Sequence, residues 1–202
     1  MIKNIIFDFG DVFIDLDKEA PYRELKALGI DTIPKHLLRL NEEYEVGQVL
    51  TEELIDSYRD TLPYASRQQI IDAWNSILKT IPPARFEFLQ KLKEKNSFRL
   101  FLLSNTNHLH IEEVKRKTPF YSDFKACFEK FYLSHEIQLR KPNHDIFQYV
   151  LKGNQLYPEE TLFIDDTEEN CDAAQQLGIR TWNNNPKTDD ITELFSKNTH
   201  LF

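Results

Sequence analysis

Ile2-Lys3-Asn4-Ile5-Ile6-Phe7-Asp8-Phe9-Gly10-Asp11-Val12 begins as an apolar run and stops abruptly on a carboxylate. A short Ile- and Phe-rich run of this kind reads as a strand buried on both faces, not a half-exposed one. Residues 98–103 form a similar run ending at Ser104, and residues 161–164 lead into Asp165-Asp166. A shorter run at 131–133 and another at 179–182 complete the set. In a parallel α/β sheet, ligands bind beyond the carboxyl ends of the strands. Asp8, Ser104 and Asp165-Asp166, with Lys141-Pro142 between the last two, therefore gather at one rim.

Helical periodicity at 85–95, 144–151 and 168–177 alternates with these strands. Strand and helix in alternation give a parallel sheet covered on both faces. Residues 18–83 break the rhythm, with helix-like pieces and no strand. One piece, 19–28, ends at Gly29, a left-handed helix stop. Others are expected at 34–44, from an N-cap at Thr51, and at 66–78, before Pro82-Pro83. Gly153 is expected to end the helix preceding Tyr157-Pro158. The fold expected is α/β, with a core of residues 1–17 and 84–202 and an all-helical cap of residues 18–83 inserted after the first strand.

The 202 residues suit one sizeable domain or a core with a modest insertion, and 41 % hydrophobic with 29 % charged residues is an ordinary globular composition. The net charge of −8 argues against a nucleic-acid binder. No apolar stretch approaches bilayer length, and Asp8 and Asp11 spoil the N-terminus as a secretory signal. Cys127 and Cys171 form no metal-binding spacing. The expectation is a cytoplasmic protein.

Adjacent carboxylates such as Asp165 and Asp166 repel in a buried rim unless a cation lies near. Mg2+ prefers oxygen ligands and keeps several waters, so a few carboxylates suffice. Asp8, Asp165 and Asp166 bring three negative charges; Mg2+ and Lys141 return three positive ones. A phosphate dianion then meets no net repulsion. His108 and His110 lack a third ligand in register and read as structural residues at a helix start. Trp74 reads as packing.

The four blocks, in this order and in these strand contexts, resemble the four motifs of the haloacid dehalogenase (HAD) superfamily, mostly magnesium-dependent phosphatases. The resemblance implies a Rossmann-like core and a small phosphorylated substrate. Asp8 matches the nucleophile that forms an aspartyl-phosphate, and Lys141 the cation that neutralises the nucleophile and the incoming charge. Ser104 matches the phosphate-binding hydroxyl, with Asn105 beside it. Asp8, the Gly10 carbonyl, Asp165 and Asp166 match the metal ligands, Asp166 directly and Asp165 directly or through water. Asn170 falls where it would support them.

One position departs from the pattern. Family phosphatases carry an acid/base aspartate two residues after the nucleophile; here that residue is Gly10, and Asp11 follows one position on. A one-residue shift on an extended chain reverses the side-chain direction. The D-x-G-x-V pattern, with Tyr44-Glu45-Val46-Gly47 and Leu103-Ser104-Asn105-Thr106-Asn107, resembles a branch that includes bacterial α-D-glucose-1-phosphate phosphatases. An anomeric alkoxide leaves readily, which makes its protonation less critical. Asp15, Asp17, Tyr44 and Glu45 are the candidates to supply or position a proton. A 2-haloacid dehalogenase and a weakly catalytic binding or regulatory protein on the same scaffold stand as the alternatives. The sequence leaves the oligomeric state and the physiological ester open.

Overall fold

The computed structural model describes residues 1–202. Five parallel strands make one sheet: β1 (Asn4–Phe7), β2 (Arg99–Ser104), β3 (Lys130–Leu133), β4 (Thr161–Asp165) and β5 (Arg180–Asn183), in the spatial order β3-β2-β1-β4-β5. The strand carrying Asp8 is thus central. Phe7 pairs in register with Leu102 on one side and Ile164 on the other, so the motif-bearing ends of β1, β2 and β4 align.

Alternation along the strands splits the core in two. Ile5 and Phe7, with Leu100, Leu102, Leu162 and Ile164, belong to the larger apolar cluster, which also takes Phe13, Phe124 and Phe128. Ile6, Phe101, Leu103 and Phe163 point the other way, against Ile146, Phe147 and Val150. All of these residues are buried. The helices that cover the sheet are α5 (Pro83–Lys95), α6 (His108–Lys117), α7 (Tyr121–Ala126), α8 (Ser134–Ile137), α9 (His144–Asn154), α10 (Glu168–Gln175) and α11 (Leu194–Lys197).

Between β1 and α5 come α1 (Ala20–Leu28), α2 (Lys35–Glu45), α3 (Thr51–Thr61) and α4 (Arg67–Asn75). They enclose an apolar cluster of their own around Leu25, Leu37, Leu54, Tyr58 and Ile70. Gly29 closes α1 at φ 114°, as its position implies. The two linkers joining this cap to the core run antiparallel, bonded Asp15 N–H to Thr80 O (3.2 Å), Asp17 N–H to Ile77 O (2.8 Å) and Lys79 N–H to Asp15 O (3.0 Å).

Two helix ends differ from expectation. Thr51 is the first helical residue of α3 and Leu50 is the cap; the Thr51 hydroxyl is spent on Tyr44 (2.9 Å) and cannot cap its own turn. Helix α9 passes through Gly153 and ends at Gln155, which takes the left-handed conformation at φ 55°. Asn154, bonded to the Tyr132 hydroxyl at 2.8 Å, ties down that last turn.

Candidate active site

Asp8 follows β1 directly, and its backbone N–H still pairs with Ile164 O at 2.8 Å. The chain then turns tightly: the N–H groups of Phe13 and Ile14 both bond Phe9 O, at 2.9 and 3.1 Å. Asp11 occupies the left-handed region at φ 52°, which aspartate tolerates better than most residues. Its Oδ1 accepts from Leu16 N–H (3.0 Å) and its Oδ2 pairs with Lys18 (2.9 Å). Asp11 is thereby held in the turn, with both oxygens engaged by Leu16 and Lys18.

Lys141 is 1 % exposed and sits at the centre of the rim. Its Nζ donates to Asp8 Oδ1 (2.7 Å), Asp165 Oδ2 (2.6 Å) and Leu103 O (2.9 Å). Burial works against its charge, but Asp165 and Asp8 more than outweigh that, so its pKa is raised and the ammonium persists. Burial pushes the Asp8 carboxyl up to about 7, with Lys141 pulling against the shift.

Asp165, wholly buried, also accepts from Thr167 N–H (2.8 Å) and from Asn170 Nδ2 (3.0 and 3.1 Å to its two oxygens). Asn170 is thus bonded to both oxygens of Asp165. Asp166 is held on its Oδ2 by Lys18 at 2.7 Å, an exposed side chain. Oxygens of Asp8, Asp165 and Asp166 lie within 4.8 Å of one another. Three hard anionic donors at that spacing fit Mg2+. The two histidines are absent from the cluster. His110 instead bonds Asn107 (3.1 Å) and the Trp74 carbonyl (3.2 Å), and burial depresses its pKa to about 4.

Ser104 is buried and its hydroxyl makes only a long bond to Asn105 O (3.4 Å), so it is free to turn to a phosphoryl oxygen. The Asn105 amide donates to Lys141 O and accepts from Lys141 N–H, both at 2.9 Å, and so braces the lysine backbone while the residue still lines the cavity.

Of the four candidates for proton transfer, three are committed elsewhere. Asp15 pairs with Arg85 at 2.9 Å, and Asp17 with Arg23 at 2.9 Å; neither lines the cavity above the rim. The Tyr44 hydroxyl accepts from Leu109 N–H (3.2 Å) and bonds Thr51, and its ring meets Trp74 edge-on. It welds cap to core. Glu45 alone lines the cavity, a space of about 670 Å3 that also touches Gly10, Lys18, Asn41, Ser104 and Asn105.

Two features, Lys18 and Ser134, escaped the sequence reading, whereas Gly47 stood in the cap stretch it quoted. Lys18 carries no local pattern that distinguishes it from any linker lysine. Ser134 stands just past β3, where the strand-end rule points, and is wholly buried between Glu45 O and the Thr106 backbone. Gly47 takes φ 70°, and a Cβ there would fall on the His135 carbonyl. Only glycine allows the cap this close approach. Trp74 donates to Asn107 (3.3 Å) and packs edge-on against Tyr44 and Tyr58, and it also lines the cavity.

Comparison with known proteins agrees with this geometry. The family model described as haloacid dehalogenase-like hydrolase matches residues 2–178. The chain is 29 % identical over 191 residues to a D-ribitol-5-phosphate phosphatase of Bacteroides thetaiotaomicron, covering 90 % of this chain and 91 % of that one. The HAD family enzyme BT-2542 of the same organism, solved with magnesium and inorganic phosphate, superposes with a TM-score of 0.85 at 36 % identity, covering 96 % of this chain and all (100 %) of that one. A HAD-like family hydrolase of Porphyromonas gingivalis gives 0.82 at 33 % identity, with 100 % and 98 % covered. No helix here is long and apolar enough to cross a membrane. With the rim assembled around Asp8 and the match running across most of the chain, this protein belongs to the haloacid dehalogenase-like hydrolases.

Proposed function

We propose that this protein, a magnesium-dependent phosphoric monoester hydrolase of the HAD type, cleaves a small phosphorylated sugar or sugar alcohol through an aspartyl-phosphate on Asp8. The observation that carries the reading is the convergence of Asp8, Asp165 and Asp166 within 4.8 Å, with Lys141 bonded to two of them.

Asp8 attacks phosphorus, and Lys141 holds its Oδ1 so that the carboxylate is aimed and its charge balanced. Ser104 donates to a phosphoryl oxygen. Asp8, Asp166 and the Gly10 carbonyl would hold Mg2+, with Asp165 beside them directly or through water. Bound there, the ion supplies positive charge against the carboxylates and the phosphoryl oxygens. Asp165 has most of its bonding capacity taken by Lys141, Thr167 and Asn170, whereas Asp166 is held mainly by an exposed lysine that an ion can displace. A cavity of about 670 Å3 suits a small metabolite.

For the ester itself, the similarity to a D-ribitol-5-phosphate phosphatase supports a sugar alcohol phosphate, and the first-motif pattern supports a hexose 1-phosphate. A panel of pentitol 5-phosphates, hexose 1-phosphates and 2-haloacids, assayed with Mg2+ and with excess chelator, tests the reading. The expected result is phosphate release from a member of the first two classes that vanishes in chelator and in Asp8→Asn. Halide release that persists in chelator, with no phosphate release, overturns it.

A further inference from the structure

We infer that Glu45, delivered by the cap, is the general acid and base of the reaction, taking the place of the aspartate absent at Gly10. The inference rests on the phosphatase reading above.

A primary alkoxide, the leaving group of a sugar alcohol phosphate, needs a proton as it departs, and so some group must hold one. Gly10 has no side chain. Asp11, Asp15 and Asp17 are paired with Lys18, Arg85 and Arg23, and Tyr44 is occupied by Thr51 and Leu109. Glu45 is the remaining carboxyl among these candidates; Glu19 and Glu42 line the cavity as well, but Glu45 is the one whose backbone is bonded through Ser134 to the loop that carries Ser104.

The backbone of Glu45 is bonded to the core. Ser134 accepts from Thr106 N–H (2.9 Å), and its single hydroxyl hydrogen has Glu45 O (2.7 Å) and Thr106 O (2.8 Å) as alternative acceptors. Thr106 lies two residues after Ser104, so the backbone of Glu45 is anchored to the loop that receives the phosphate. Two residues further on, Gly47 presses against the His135 carbonyl. The carboxyl itself faces Arg140 (Nη2 to Oε1, 3.3 Å), the residue that immediately precedes Lys141.

Glu45 Oε1 and Arg140 Nε are both buried and neither has a hydrogen-bond partner, although the side chains adjoin. The pair is therefore not a closed, saturated salt bridge. The side chain as a whole is 29 % exposed while Oε1 is covered, which leaves its other surface to the cavity. The charged groups that act on it are Arg140 and Lys141 from the core rim and Glu42 from its own helix. Burial outweighs the two cations and raises its pKa, which favours a carboxyl able to hold a proton. Glu45 lines the same cavity as Ser104 and Gly10, and its partner Arg140 is the chain neighbour of Lys141, whose ammonium is 2.7 Å from Asp8.

The steps balance. Asp8 attacks phosphorus, the ester P–O bond breaks, its electron pair goes to the leaving oxygen, and that oxygen takes the proton from Glu45. Water then attacks the phosphorus of the aspartyl-phosphate and gives its proton to Glu45. The P–O bond to Asp8 breaks, and both carboxyls return to their starting states.

The test is Glu45→Gln, near-isosteric, assayed with Mg2+ on a sugar alcohol phosphate and on 4-nitrophenyl phosphate, whose phenolate departs without a proton. With the alkyl ester, turnover is expected to fall by about 10²–10⁴-fold with no burst. With the aryl ester, a stoichiometric burst of phenolate is expected, followed by slow turnover, because the first step survives and the second lacks its base. Unchanged melting temperature and Mg2+ binding exclude a folding defect. Wild-type turnover of both esters, or equal slowing of both without a burst, overturns the role of Glu45. Absence of phosphate release by the unaltered protein strikes the phosphatase reading instead.

Discussion

Lys141 Nζ lies 2.7 Å from Asp8 Oδ1 although 133 residues separate the two in the chain. A second carboxylate, Asp165, is 2.6 Å from the same nitrogen. Removing the lysine leaves two buried anions facing each other. Breaking a buried pair by deleting one partner costs about 3–5 kcal/mol. Lys141→Met is expected to lose activity and that much stability at neutral pH in chelator, measured by urea unfolding. Added Mg2+ should restore part of the stability, because the ion replaces the missing charge. A variant as stable as the unaltered protein in chelator would contradict the charge balance assigned to the rim.

Asp15 and Asp17 are structural anions in this account. Asp15 receives Arg85 Nη1, and the same guanidinium bonds Phe13 O and Asp190 (2.9 Å), so it clips the first linker to the far end of the chain. Asp15→Asn and Asp17→Asn are expected to leave turnover within about twofold, with at most about 1 kcal/mol lost for the half-exposed Asp15. A hundredfold fall in turnover for either would return it to the chemistry.

His110 makes stability depend on acid. Its pKa is held at about 4 by burial, against an ordinary value near 6.5, so below about pH 6.5 the unfolded chain takes up a proton that the folded one refuses. The stabilisation is complete above that pH and is lost as pH falls towards 4, about 2–3 kcal/mol in all. Asp8 contributes with the opposite sign in the metal-free protein, because its raised pKa favours folding at low pH. The difference between the unaltered protein and His110→Gln isolates the histidine. Urea unfolding between pH 7 and 4 should show the stability difference between the two narrowing or reversing by that amount.

Gly47→Ala tests the seam between cap and core. The added Cβ meets the His135 backbone, which cannot yield as a side-chain tip would, and φ 70° disfavours any side chain. A loss of about 1–3 kcal/mol is expected by thermal unfolding, with reduced turnover as Glu45 shifts. A neutral substitution would show the seam to be loose.

The central strands β1, β2 and β4 were legible because a both-faces-buried strand is a short apolar run, and each of the three ends on or just before a residue whose place in the rim the run announces. The interiors of α1 to α5, α9 and α10 were legible from their periodicity, whereas α7, α8 and α11 were not read, and the ends at Leu50 and Gln155 depend on partners elsewhere in the molecule. Asp8, Ser104, Lys141, Asp165 and Asp166 were identifiable from order and strand context. The fates of Asp15, Asp17 and Tyr44 were not. What removes them from chemistry is Arg85, Arg23, Thr51 and Leu109, and a carboxylate or phenol reads the same in sequence whether its partner is a cation, an amide or a substrate. Asn105 shows the same limit: its amide was visible, but the Lys141 backbone that takes up both its atoms was not.

Trapping the covalent intermediate tests the central claim most directly. The protein is mixed with Mg2+ and a substrate ester, quenched in acid, reduced with borohydride and digested, and the peptide containing Asp8 is examined by mass spectrometry. Conversion of Asp8 to homoserine, absent in chelator, is the result expected of an aspartyl-phosphate. Phosphate release that continues in Asp8→Asn, or reduction at another carboxylate with Asp8 untouched, would contradict it.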